Sequence, residues 1–156
     1  MRAQSLRNYI LRVGIGHSTN ELTAFDRALI TAGLSDYNLI KVSSILPPRC
    51  SLRKEITHPK GLLLPSAFTT ICSGKISDTI SSAIAVGIPS DSENVGVIME
   101  HSAHSSKDEA EEVVRGFAAQ AMQDRKISYS QIVSIAIDCC VKLPEIYCAF
   151  ASVSMW

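Results

Sequence analysis

The stretch Asn38-Leu-Ile-Lys-Val-Ser-Ser-Ile-Leu-Pro-Pro48 contains the most informative break in this sequence. Its first half is apolar enough to predict a strand over residues 37–42, and the two prolines at its end stop regular strand pairing. Ser43 and Ser44 place two hydroxyls at this break. Such hydroxyls usually satisfy backbone groups of a turn, so the residues alone favour an ordinary structural role.

The sequence on both sides of this stretch predicts a mixed α/β (α+β) fold with many strands and two helices. Gly33 is a natural residue to end the first helix, and Ser106 with Glu109 forms a capping box that begins the second. The predicted strands cover residues 10–13, 37–42, 62–72, 79–88, 94–100, 131–141 and 146–153, and the predicted helices cover 22–32 and 107–124.

Length and charge limit the classes of protein that this chain can be. Its 156 residues, 46% of them apolar, suffice for one domain, which we expect to span residues 1–156. Only 19% of residues are charged, against a usual value of about 25%, which favours an oligomer. The zero net charge argues against partners held by broad electrostatic attraction, namely nucleic acid and anionic membranes. The uncharged stretches are also shorter than the ~20 apolar residues of a membrane helix.

The cysteines predict reduced thiols. Their number is odd, and no C-x-x-C pair is present, which is typical of neither a disulfide framework nor a zinc site. We therefore expect a cytoplasmic protein. The five residues are Cys50, Cys72, Cys139, Cys140 and Cys148.

Two short motifs suggest other chemistry only weakly, and a third common motif is absent. Gly14-Ile-Gly16 lacks the third glycine and the lysine of phosphate-binding loops, so we interpret it as an ordinary strand-to-helix turn. His101-Ser-Ala-His104 lacks the order of a zinc protease motif and is interpreted as a loop. The sequence also contains no G-x-S-x-G, the motif of many serine hydrolases.

Two carboxylates occupy positions where apolar residues are expected. Asp26 lies beside the apolar stripe of the first helix, which predicts a side chain turned toward the protein and paired with a cation such as Arg27 or Lys41, or with a ligand. Glu100 ends an apolar run, at the strand end where α/β folds often place catalytic groups. A solvated carboxylate is an equally good interpretation of Glu100.

Three motifs together give a specific resemblance. The stretch that ends at Pro48, with Leu22-Thr-Ala-Phe-Asp-Arg-Ala-Leu29 before it and Gly96-Val-Ile-Met-Glu100 after it, closely resembles the pyruvoyl-dependent arginine decarboxylases. The likeness extends through residues 78–89, 106–111 and 148–156. It implies a four-layer αββα sandwich, assembled as a trimer with active sites between neighbouring subunits.

The resemblance also implies an enzyme that decarboxylates L-arginine to agmatine and carbon dioxide. The chain would be a proenzyme that cleaves itself between Ser43 and Ser44, into residues 1–43 and 44–156. Its cofactor would be a covalent pyruvoyl group made from Ser44, with no pyridoxal phosphate and no metal. The resemblance also implies roles for other residues. Asn38 would position the scissile peptide, and Glu100 would be the general acid, which an apolar setting would keep protonated. Asp26 would receive the substrate guanidinium, in a pocket lined by Leu22, Ser35 and Tyr37.

Two alternatives remain open at this point. Ser35 and Tyr37 are larger or more polar than the small residues associated with those positions, which suggests the same chemistry on histidine, lysine or ornithine. An unprocessed trimeric ligand-binding protein is the alternative from a different class. The intact Ser43, Ser44, Asn38 and Glu100 argue against it.

Overall fold

The first strand carries the closest packing between a helix and a sheet. A computed structural model describes residues 5–156, and in it β1 (Asn8–Ser18) runs straight through Gly14 and Gly16. A Cβ atom on Gly14 would lie 2.0 Å from the Ala28 carbonyl oxygen, and one on Gly16 would lie 2.2 Å from that of Ala24. The prediction of a strand-to-helix turn at these glycines is therefore wrong: they let the helix backbone approach the strand.

The other elements follow in mixed order. They are α1 (Glu21–Ala32), β2 (Asn38–Lys41), β3 (Ile45–Leu46), β4 (Ser51–Leu52), β5 (Leu63–Ser73), β6 (Thr79–Pro89), β7 (Gly96–Ala103), α2 (Lys107–Asp124), β8 (Tyr129–Cys140) and β9 (Ile146–Met155). The predicted helices are confirmed at both ends. Gly33, at φ 73°, ends α1, and the predicted capping box of Ser106 and Glu109 begins α2.

The strands form two sheets that face each other. One has the order β2-β5-β9-β1-β4 and the other β3-β7-β6-β8. The outer face of the first sheet is covered by α1, which packs on β1 and β9, and that of the second by α2, which packs on β6, β7 and β8. The layers therefore run α, β, β, α, and the expected four-layer sandwich is confirmed.

Strand β6 shows how the sequence specifies these layers. Its residues from Ile80 to Gly87 are all buried, because both of its faces are covered. Ile84 and Val86 enter the core between the sheets, while Ala83 and Ala85 pack against α2. The small side chains thus face the helix, and the branched ones fill the space between the sheets.

Strand β7 is longer than predicted, which changes the position of Glu100. Pairing with β6 continues past Glu100 to Ala103, with His101 opposite Ala83. The interpretation of residues 101–104 as a loop is therefore wrong for the first three. Glu100 lies inside a strand, not at its end.

Two cysteines correct the prediction of reduced thiols. Cys72 on β5 and Cys148 on β9 form a disulfide, with 4.1 Å between their Cα atoms. The two residues are direct partners in the antiparallel register, which brings their side chains together. The spacing along the sequence could not reveal this pairing, because 76 positions separate them. Cys50, Cys139 and Cys140 are free, and burial raises the pKa of Cys139 to about 11.

No helix within residues 5–156 is long and apolar enough to cross a membrane. The same described residues contain no group of three or more His, Cys, Asp or Glu side chains arranged to hold a metal ion.

Candidate active site

The chain crosses from one sheet to the other at Ser43 and Ser44. Strand β2 belongs to the five-stranded sheet, and β3, which begins at Ile45, belongs to the four-stranded sheet. Ser44 takes a left-handed conformation with φ 70°, which is uncommon for a residue other than glycine. Its carbonyl oxygen accepts a hydrogen bond of 2.9 Å from the Ile98 backbone N–H. The pairing of β3 with β7 therefore holds this conformation in place.

The side chain of Ser44 is directed at Glu100. The Ser44 hydroxyl donates a hydrogen bond of 3.0 Å to Oε2 of Glu100. Glu100 lies two residues after the buried Ile98 and therefore on the same face of β7, at the margin of the core between the sheets. Its side chain is 25% exposed. This hydrogen bond joins the two residues to which the family resemblance assigns the pyruvoyl precursor and the general acid.

Lys41 contacts the other oxygen of the same carboxylate. Its Nζ lies 3.7 Å from Oε1 of Glu100 and 5.0 Å from the centre of the Phe68 ring. The two carboxylate oxygens therefore have different partners, Lys41 on one and Ser44 on the other. The two contacts together favour the rotation of the carboxylate in which Oε2 faces the Ser44 hydroxyl.

Both serines open onto a cavity of about 320 Å³. Its other walls are residues 97–100 of β7 and Arg125, the residue that caps the C-terminal end of α2. The cavity is large enough for part of an amino acid and places charged groups on two sides of an apolar wall. The sequence analysis did not find Arg125, since a cation at the end of a helix is an ordinary capping residue.

The other predicted site residues lie away from this cavity in a single chain. Leu22 and Asp26 lie on α1, where Leu22 is 79% exposed and Asp26 is also exposed. The prediction that Asp26 turns toward the protein is therefore wrong. The proposed partner Arg27 instead donates to the His17 carbonyl oxygen, and Lys41 pairs with Glu100.

Ser35, Tyr37 and Asn38 form a second group, between the end of α1 and the start of β2. Ser35 is exposed, and the Tyr37 hydroxyl donates to the carbonyl oxygen of His58 at 3.3 Å. The Asn38 amide donates to the carbonyl oxygen of Gly61 at 2.8 Å. Asn38 is thus held beside β5, and within one chain its amide is engaged by this carbonyl.

Comparison with known proteins bears directly on the Ser44–Glu100 pair. The family model of pyruvoyl-dependent arginine decarboxylase matches residues 8–142, which include both members of the pair. The chain belongs to the pyruvoyl-dependent arginine decarboxylase family. The resemblance found in the sequence motifs is thereby confirmed.

Several curated pyruvoyl-dependent arginine decarboxylases are similar over nearly the whole chain. The one from Methanococcus aeolicus is 41% identical over 146 residues, which cover 94% of this chain and 87% of that protein. The one from Methanocaldococcus jannaschii is 39% identical with the same coverage. The one from Methanococcus vannielii is 38% identical and is covered to 88%.

Membership of this decarboxylase family implies a covalent pyruvoyl cofactor, and the residues around Ser44 fit one. A pyruvoyl group can be made from a serine that becomes the first residue of a new chain. Ser44 has the required hydroxyl, sits at the mouth of a cavity, and is hydrogen-bonded to a carboxylate able to exchange protons. The pyruvoyl group would thus arise beside Glu100, at the cavity that Arg125 helps to line.

Proposed function

We propose that this chain is a proenzyme that cleaves its own peptide bond between Ser43 and Ser44, and that the processed protein decarboxylates L-arginine to agmatine and carbon dioxide. One observation carries the proposal: a left-handed serine whose hydroxyl donates to a partly buried carboxylate in a cavity. Family membership supplies the reaction class and, through the names of the relatives, the substrate.

The cleavage step follows from the chemistry of Ser44. Its oxygen attacks the carbonyl carbon of Ser43 while Glu100 takes the hydroxyl proton. The peptide C–N bond then breaks, the Ser44 nitrogen takes that proton from Glu100, and an ester and a free amine on Ser44 remain. Loss of the Ser44 α-proton then expels residues 1–43 with a terminal carboxylate. The dehydroalanine that remains takes up water and loses ammonia to become the pyruvoyl group. The left-handed conformation stores backbone strain at this position, which favours the first step.

After cleavage, we assign Glu100 the role of general acid. When present, the pyruvoyl group supplies a ketone that takes up the substrate amine and an adjacent carbonyl that accepts the electrons released with carbon dioxide. Glu100 lies within hydrogen-bond distance of the Ser44 hydroxyl, beside the place where the pyruvoyl group would form, so it can deliver a proton to the substrate carbon that loses carbon dioxide. Lys41 keeps the carboxylate turned toward that carbon.

We further propose that a second subunit completes the pocket. Asp26, Leu22, Ser35 and Tyr37 would come from a neighbouring protomer of a trimer, with Asp26 receiving the guanidinium through paired hydrogen bonds. The exposure of Leu22 and of neighbouring apolar side chains supports a covered surface here. Light scattering of the purified protein should give three times the mass of one protomer. A monomer would contradict this assembly.

The mass spectrum of the denatured protein tests the cleavage. Wild type should give two chains, and the larger should resist Edman degradation until its ketone is converted by reductive amination. Ser44→Ala should remain a single chain, because it lacks the attacking oxygen. The matched control Ser43→Ala keeps that oxygen and the carbonyl under attack, so it should still cleave. A wild-type chain that stays whole on warm incubation would refute the proposal and favour the ligand-binding alternative.

Release of carbon dioxide from a panel of arginine, histidine, lysine and ornithine tests the substrate. We expect arginine to be decarboxylated fastest. Asp26→Asn should lower kcat/KM for arginine by about tenfold to a hundredfold, as expected for loss of a charge-assisted hydrogen bond. The control Glu21→Gln removes an exposed carboxylate from the same helix and should have little effect. Equal losses on every amino acid would argue against a guanidinium partner at Asp26.

A further inference from the structure

Arg125 is a cation with no role so far in the proposed reaction. It lies at the cavity onto which Ser43 and Ser44 open, called the Ser44 cavity below. It follows the last turn of α2 and lines the cavity together with Ser43, Ser44 and Glu100. Among the described residues that form this lining, it is the only one with a positive charge. Lys41 is close by, but its ammonium contacts Glu100 and the Phe68 ring.

Most hydrogen-bond donors of the Arg125 guanidinium are not used by the contacts described for it. One of its nitrogens donates to the carbonyl oxygen of Ala121 at 3.1 Å, which anchors the side chain to the end of the helix. A guanidinium carries five N–H donors, so most of them are available to another acceptor. The adjacent Asp124 does not use them: within residues 5–156 it forms no ion pair with Arg125 and accepts from Gln120 at 2.8 Å.

The charges of the cavity impose an orientation on an amino acid. Every α-amino acid substrate carries a carboxylate on the carbon next to its amine. Glu100 offers that carboxylate no positive charge, and the Val97 and Met99 side chains offer it no hydrogen-bond donor. Arg125 presents a planar pair of donors that matches a carboxylate.

We propose that Arg125 binds the α-carboxylate of the substrate and so selects amino acids over simple amines. This inference rests on the proposed function, because it needs a decarboxylase site at Ser44. The role belongs to substrate binding, before decarboxylation: the carboxylate bound by Arg125 is the group that later departs as carbon dioxide. Because this contact exists in the bound substrate and weakens as the carboxylate loses its charge, it should lower KM without raising kcat.

The product provides a probe that lacks the recognised group. Agmatine has the amine and guanidinium of arginine but no carboxylate, so it should bind without help from Arg125. Arg125→Gln should therefore raise KM for arginine about tenfold or more without lowering kcat, while the inhibition constant of agmatine stays within about twofold. Arg125→Lys keeps a charge but loses the paired donors, and its KM should fall between those of wild type and Arg125→Gln.

Arg115→Gln is the matched control. Arg115 is also on α2 and also donates to a backbone carbonyl, that of Ile132, but it does not line the Ser44 cavity. Its replacement should leave KM unchanged. All rates are divided by the amount of cleaved chain measured by mass spectrometry. If Arg125→Gln fails to fold or to cleave, the same comparison is made with Arg125→Lys.

The outcomes separate this inference from the proposed function. An unchanged KM, or equal rises in KM and in the agmatine inhibition constant, would overturn the role of Arg125 while wild-type activity on arginine still stands. If wild type instead decarboxylates another amino acid, KM for that amino acid and inhibition by its own amine replace arginine and agmatine. If wild type releases carbon dioxide from none of them, the proposed function and this inference both fail.

Discussion

At the scale of single residues, the site depends on the different partners of the two carboxylate oxygens of Glu100. One accepts the Ser44 hydroxyl at 3.0 Å, and the other lies 3.7 Å from the Lys41 ammonium. In the proposed function, the same carboxylate takes a proton during cleavage and delivers one during decarboxylation. Both duties need a group that exchanges protons, and a hydrogen bond alone would not serve.

Glu100→Gln tests this requirement. The amide keeps the size of the side chain and can still accept a hydrogen bond from Ser44, but it cannot transfer a proton. We expect kcat per cleaved chain to fall about a hundredfold or more, the usual value of general acid catalysis, and cleavage to be slower. Glu93→Gln is the control, because Glu93 is an exposed carboxylate paired with Arg49. A Glu100→Gln enzyme with wild-type carbon dioxide release would contradict the assignment.

The sequence predicted some of the site residues correctly and missed or misplaced others. Ser44 and Glu100 were singled out by polar side chains beside apolar runs and by family motifs, and they do meet. Arg125 was missed, because nothing local distinguishes a cation that faces a cavity from one that caps a helix. Asp26 was expected to turn toward the protein, but it is exposed. Helical spacing places it next to the apolar face of α1 and does not show whether a residue at that border is buried or solvated.

At the scale of elements, the helices were easier to predict than the strands. Both helices carry local signals at their ends, so their bounds agree with the sequence. Strand β7 was cut short because its last residues are polar, although Ser102 is satisfied there by hydroxyl partners on Ser82 and Thr69. Those partners come from distant parts of the chain, which local patterns do not reveal.

The contact between α1 and β1 gives a prediction about stability. In Gly14→Ala the new methyl group would meet the Ala28 carbonyl, so the helix must shift, and the free energy of unfolding should fall by about 1–3 kcal/mol. In the control Gly116→Ala the methyl group meets nothing within 4 Å on α2, and stability should rise by about 0.5–1 kcal/mol. Urea unfolding of both variants in the Ser44→Ala background, where the chain stays whole, measures this difference. An unaltered midpoint for Gly14→Ala would show that α1 is not packed this closely.

At the scale of the whole molecule, the sandwich explains why the site lies at one edge. Strand β2 ends one sheet and β3 ends the other, so the short connection between them must bridge the gap between the sheets. The peptide bond that we propose is cleaved lies in that bridge, and Glu100 lies on β7, next to β3. The four layers were implied by the family resemblance, whereas the strands that lie at the sheet edges depend on long-range pairing, which local sequence patterns do not reveal.

The same topology predicts how the two chains would stay together after the proposed cleavage. Residues 1–43 contain β1, which lies between β9 and β4 and pairs with β9 from Tyr9 to Ser18. The Cys72–Cys148 disulfide joins two positions of the same product, residues 44–156, so it cannot link the two chains. They should therefore elute together in native size exclusion, yet separate on a denaturing gel whether or not reductant is present. Separation on the denaturing gel only after reduction would mean that a different cysteine pairing joins the two chains. Separation in native buffer would contradict the position of β1 between β9 and β4.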